Sequence, residues 1–96
     1  MMPVKTKSKK QEINEENIKK TIEILNMVTN DIVAPKNIRK TVKDAIAFLN
    51  KSNISLGMRA STVIQMLDEA SQDANVPMLS RTRVWSALSI LEGIKD

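Results

Sequence analysis

The chain carries one pattern twice. Residues 22–49 align without a gap on residues 64–91 at an offset of 42, and eight of the 28 aligned positions are identical. The identities are Ile22/Ile64, Leu25/Leu67, Asp31/Asp73, Pro35/Pro77, Arg39/Arg81, Val42/Val84, Ala45/Ala87 and Leu49/Leu91. A unit of this length has room for two helices and a turn, and it cannot bury its apolar face alone. The repeat therefore predicts two related helix hairpins packed on each other.

Apolar spacing supports helices throughout. Ile18, Ile22, Leu25 and Val28 recur every three or four residues, as do Ile38, Val42, Ala45, Ile46 and Leu49. Leu56, Ala60, Val63, Ile64, Leu67 and Ala70 form a third face, and Val84, Ala87, Leu88 and Leu91 a fourth. Helix one is expected to start at Asn14, a good cap, with Ile13 and Ile18 placed as a hydrophobic staple. Pro35 and Pro77 open helices two and four, where a missing amide proton costs nothing, and Ser55 caps helix three. No segment alternates polar and apolar residues, so no strand is expected. The predicted fold is all-α, an antiparallel four-helix bundle of two homologous hairpins, 14–51 and 54–94, within a domain spanning 13–96.

Charge divides the chain unevenly. Lys5, Lys7, Lys9 and Lys10 precede the first acid, Glu12, and the other 11 basic residues balance 11 acidic ones. The excess of +4 thus sits in a polar leader, residues 1–12, expected to be disordered, ahead of a formally neutral body. No apolar run is long enough to span a bilayer and no secretory signal is present, so the chain reads as cytoplasmic.

The absence of His, Cys and Tyr removes the usual proton shuttle, the thiolate nucleophile and the commonest transition-metal ligands. The serines have no histidine to activate them. Adjacent acids such as Asp68 and Glu69 point about 100° apart on a helix, which makes them a poor catalytic pair. The expectation is a non-enzymatic protein without cofactor or metal.

Within each unit an Asp stands four residues before the Pro, and an Arg four after it. These read as hairpin hardware, with the Asp capping the turn and the Arg close enough to pair with an Asp of the same or the neighbouring hairpin. Function is better sought where the copies differ. Lys36, Lys40 and Lys43, with Arg39, make the start of helix two basic, which opposes the helix dipole and suits phosphate binding. The second copy carries Met78 and Trp85 at the positions of Lys36 and Lys43. Trp85, Met78 and Arg81 are the candidate partner-binding residues, for an unknown protein or a second copy in a homodimer. The alternative is a nucleic-acid accessory role, with Lys36, Arg39, Lys40, Lys43 and the leader contacting phosphates.

Two resemblances bear on this reading. An Asp in the inter-helix turn and an Arg early in the second helix, preceded by Ile38 in one unit and Ser80 in the other, resemble HEAT-like helical repeats. That likeness leaves a short open solenoid as an alternative to the closed bundle. The stretches NMVTNDIVAPKNIRKTVKDA, LGMRASTVIQMLDEASQD and VPMLSRTRVWSALSILE resemble a small archaeal family known as uncharacterised protein family zero-one-four-seven. The resemblance implies an all-helical, cytoplasmic archaeal protein and carries no activity onto any residue.

Overall fold

The structure, a computed structural model, describes residues 8–96. Four helices follow one another: α1 (Lys9–Thr29), α2 (Lys36–Leu49), α3 (Leu56–Ser71) and α4 (Met78–Glu92). Helices consecutive in the chain pack on each other, and α1 also packs on α4, which closes the ring. The hairpins thus face each other as a closed antiparallel bundle and do not stack as an open solenoid.

The interior repeats as the sequence does. Leu25 and Leu67, and Leu49 and Leu91, are all fully buried, one from each helix, and α4 adds Leu88 to the core. Full burial of a leucine is worth about 1.5 to 3 kcal/mol. Val42 and Val84 fill equivalent places, as do Ala45 and Ala87. Where the copies part, size is traded: Ile38 matches buried Ser80, and Ile18 matches Ala60. Thr21, matching Val63, is buried with its hydroxyl donated to the Asn17 carbonyl at 2.8 Å.

The start of α1 differs from expectation. It begins five residues earlier than Asn14, because Ser8 and Gln11 form a reciprocal capping box in which the Gln11 amide donates to Ser8 Oγ and the Ser8 amide to Gln11 Oε1. Of the leader, residues 1–7 lie outside the described residues, whereas Lys9, Lys10, Gln11 and Glu12 are helical. Ile13 is 52% exposed and makes no staple. Asn14 is buried, and its amide donates to the Lys95 carbonyl at 2.9 Å.

All three joints, residues 30–35, 50–55 and 72–77, have the same length. In each, the second residue donates its amide three residues back: Asp31 to Val28, Lys51 to Phe48, and Asp73 to Ala70. The last residue of each joint, Pro35, Ser55 or Pro77, is the N-cap of the next helix. Four residues after each cap comes an arginine whose guanidinium donates to a carbonyl at the helix end or joint just passed. The pairs are Arg39 Nε to Ala34, Arg59 Nη1 to Leu49, and Arg81 Nη2 to Asp73, at 3.2, 2.9 and 2.9 Å. Arg39 and Arg81 therefore bind main-chain oxygens; the expected pairing with an Asp carboxylate does not form. A planar, multiply donating guanidinium can hold a carbonyl that a helix end leaves over.

Candidate functional site

The first and third joints share one end of the bundle with the starts of α2 and α4. Asp31 and Asp73 organise it. Each accepts the amide two residues on through Oδ1, from Val33 at 3.0 Å and from Asn75 at 2.9 Å, an Asx turn that a short carboxylate is built to make. Each then reaches across to the opposite hairpin through Oδ2. Asp31 accepts from Ser80 Oγ at 3.3 Å, and Asp73 from Asn37 Nδ2 at 3.4 Å. Joint one is thereby tied to the start of α4, and joint three to the start of α2.

These two halves are the same scaffold with different surfaces. Around joint one and α4, Ile32, Val33, Met78 and Leu79 are 85%, 70%, 66% and 57% exposed. The aligned residues around joint three and α2 are Ala74, Asn75, Lys36 and Asn37. Met27, in the last turn of α1, is also exposed at this end. Trp85, two turns into α4, is half exposed, at a position aligned with Lys43. Of the candidate partner-binding residues, Met78 and Trp85 thus lie on the surface, while Arg81 is partly buried and committed to the Asp73 carbonyl.

Lys36, Arg39, Lys40 and Lys43, the candidate phosphate-binding residues, do come together. With Thr29 and Asn37 they line an open cavity of about 650 Å³ where the end of α1 meets the outer face of α2. Lys40 pairs with Asp44 at 3.3 Å, both side chains being largely exposed. Lys36 and Lys43 have no ion pair among the described residues. Joint one, with Ile32 and Val33, lies between Thr29 and Lys36, so the apolar surface and the cationic cavity adjoin.

The opposite end holds a feature that spacing did not reveal. The Asp96 carboxylate accepts the Gly57 amide at 2.9 Å and the Ser55 hydroxyl at 2.8 Å, while Lys10 Nζ donates to the Asp96 main-chain oxygen at 2.6 Å. The Gly57 amide, then the Ser55 hydroxyl, hold the Asp96 carboxyl below its ordinary pKa. The sequence signal for this end is Asn14, a polar residue on the apolar face of α1; the structure adds that a Cβ on Gly57 would stand 2.7 Å from Asp96 Oδ2.

Among the described residues no helix is long and apolar enough to cross a membrane, and no group of acidic side chains gathers as a metal site. Fold and surface together define a class: closed four-helix bundles made from a duplicated hairpin, polar on one half of the joint end and apolar on the other.

The chain belongs to the uncharacterised protein family UPF0147, whose model matches residues 4–94. A UPF0147 protein of Metallosphaera sedula is 43% identical over 83 residues, 86% of this chain and 93% of its own length. One from Aeropyrum pernix is 40% identical over 86% of this chain and 91% of its own. The crystal structure of a family member from Thermoplasma acidophilum is similar at a TM-score of 0.82, with 36% identity over 88% of this chain and 99% of that one. The crystal structure of the unknown function protein MMP1188 has the same TM-score at 32% identity, covering 97% and 100% of the two chains.

Proposed function

We propose that this protein is a non-enzymatic, cytoplasmic protein–protein interaction module that binds through the apolar half of its joint end. One observation carries the reading: Ile32, Val33, Met78 and Leu79 are exposed, while the same backbone positions in the other copy hold Ala74, Asn75, Lys36 and Asn37. The hairpin folds with either set, so folding does not require the apolar one. Covering each of these side chains recovers on the order of 1 to 2 kcal/mol, and a cluster of them on a small soluble protein marks a contact surface. Trp85 extends it with an aromatic anchor.

The test exchanges one half for the other. A variant with Ile32→Ala, Val33→Asn, Met78→Lys and Leu79→Asn places only residues that this scaffold already carries. Capture from nuclease-treated native extract is expected to retain a partner on the wild-type protein and lose it on the variant. If the partner is a second copy, light scattering shows a wild-type dimer and a variant monomer. A monomeric wild type whose captured proteins match those of the variant refutes the reading.

A further inference from the structure

We infer that the cavity along α2 is a binding site for a nucleic-acid strand, held through its phosphates by Lys36, Lys40 and Lys43. The site adjoins the apolar surface above but shares none of its residues and does not depend on it.

Three observations lead there. Lys36, Lys40 and Lys43 fall within about 60° of helix circumference, given 3.6 residues per turn, and all line one cavity of about 650 Å³ beside Thr29 and Asn37. Two of the three charges are uncompensated: the first turn of α2 holds no acid, Lys36 and Lys43 have no ion pair among the described residues, and Lys40 has only an exposed pair with Asp44. Exposed pairs are worth little, about 0 to 1 kcal/mol, so a phosphate can displace it. Cations at a helix start also oppose the dipole, and the fold does not call for them, since the aligned positions in α4 are Met78, Thr82 and Trp85. No acid lines the cavity. Of those close by in sequence or contact, Asp31 is occupied by Val33 and Ser80, Asp73 by Asn37 and its own joint, and Asp44 by the exposed pair with Lys40.

The geometry favours an extended polyanion over a compact one. The three lysines stretch over seven residues of helix, about 10 Å at 1.5 Å per residue, and a nucleic-acid strand rises about 3.4 Å per nucleotide. A strand along α2 passes about four phosphates over that length, enough for each lysine to meet a phosphate of its own. Contacts of this kind hold the backbone and read no bases. Lys9 and Lys10 open α1, whose 21 residues separate them from Thr29 by about 30 Å. The lysines at the start of α1 are therefore a different cationic region.

The test is anisotropy of a labelled oligothymidylate titrated with the full chain at increasing potassium chloride. Each single-strand phosphate contact contributes about 0.7 to the log–log salt slope. Replacing Lys36, Lys40 and Lys43 with Gln is expected to lower the slope by about 2, and replacing them with Arg to leave it unchanged. Gln and Arg are both good helix formers, and circular dichroism checks the fold. Inorganic pyrophosphate, titrated as the compact competitor, is expected to displace the strand only weakly. The inference fails if the wild type does not bind at low salt. It also fails if the Gln variant keeps the full slope while Lys5, Lys7, Lys9 and Lys10→Gln removes it, or if pyrophosphate binds the lysines and the strand does not.

Discussion

Ser80 donates its hydroxyl to the Asp31 carboxylate at 3.3 Å, joining α4 to the first joint across 49 residues of sequence. Ser80 is fully buried and stands where the other copy has Ile38. Its hydroxyl is a cross-hairpin contact that the aligned isoleucine cannot make. Ser80→Ala is expected to cost about 0.5 to 1.5 kcal/mol, read as a lower urea midpoint. For a domain of this size each kcal/mol lowers Tm by about 4 to 8 °C.

The joint arginines are expected to differ in worth. Arg39 uses Nε itself to hold the Ala34 carbonyl, whereas Arg81 uses Nη2 and leaves a buried Nε with no partner among the described residues. A hydrogen bond from a charged donor is worth about 1.5 to 3 kcal/mol, and an unsatisfied buried donor costs a comparable amount. Arg39→Met should therefore destabilise the bundle more than Arg81→Met. Chemical denaturation of the two variants gives the order, and equal or reversed losses would refute the assignment.

At the other end, Gly57→Ala should change sign with its neighbour. In the wild type the added Cβ meets Asp96 Oδ2 at 2.7 Å and Cγ at 2.8 Å, and the C-terminal segment must give way. In an Asp96→Ala background the carboxylate atoms and the clasp they make are gone. The remaining close atom is the main-chain nitrogen of residue 96 at 3.0 Å, which the released segment can move aside, and alanine in the first turn of α3 gains up to about 1 kcal/mol of helix propensity over glycine. Thermal melts of the four chains of this cycle are expected to show Gly57→Ala lowering Tm with Asp96 present and raising it with Asp96 replaced.

The Asp96 clasp also carries a pH signature. Its folded pKa is lowered, chiefly by the Gly57 amide and next by the Ser55 hydroxyl, so its contribution is present above the ordinary Asp value of about 3.9. It is lost as pH falls through the lower, folded value. The gap in Tm between wild type and Asp96→Asn should stay constant from neutral pH to about 5 and close below about 4. A gap that persists at strongly acid pH would assign the effect to packing.

Much of this fold is legible in the sequence, because helix faces depend on local periodicity. Leu25, Val42, Leu67 and Val84 sit in the core where their spacing put them. The joints were read only in part. Aligning the chain at an offset of 42 compares hairpin with hairpin, so the middle joint had no counterpart, and Arg59 escaped notice although it stands four residues past its cap like Arg39 and Arg81. The expected Asp–Arg pairing failed because the leftover carbonyls of a helix end compete for the guanidinium, a demand that side-chain charge alone does not disclose. The early start of α1 was missed because Ser8 and Gln11 stand amid lysines that read as a tail. The long-range tie of Asp96 leaves no periodic trace, and Asn14 shows only as a polar residue on the apolar face of α1. Among the surface candidates, Lys36, Arg39, Lys40 and Lys43 were found as a group, while Ile32, Val33 and Leu79 were not, since exposure of an apolar loop residue shows only once the joint is built.

The Lys10–Asp96 bond has a topological consequence. It brings the start of α1 beside the end of the described chain, and the ring of helix contacts has no gap at which one helix is first and another last. A circular permutant opened within residues 51–53 and spliced from Asp96 to Ser8 would run α3, α4, α1, α2 and keep every helix pair. In packing, the order of the hairpins is interchangeable; what distinguishes them is their surfaces and a few size exchanges in the core, such as Ile38 for Ser80.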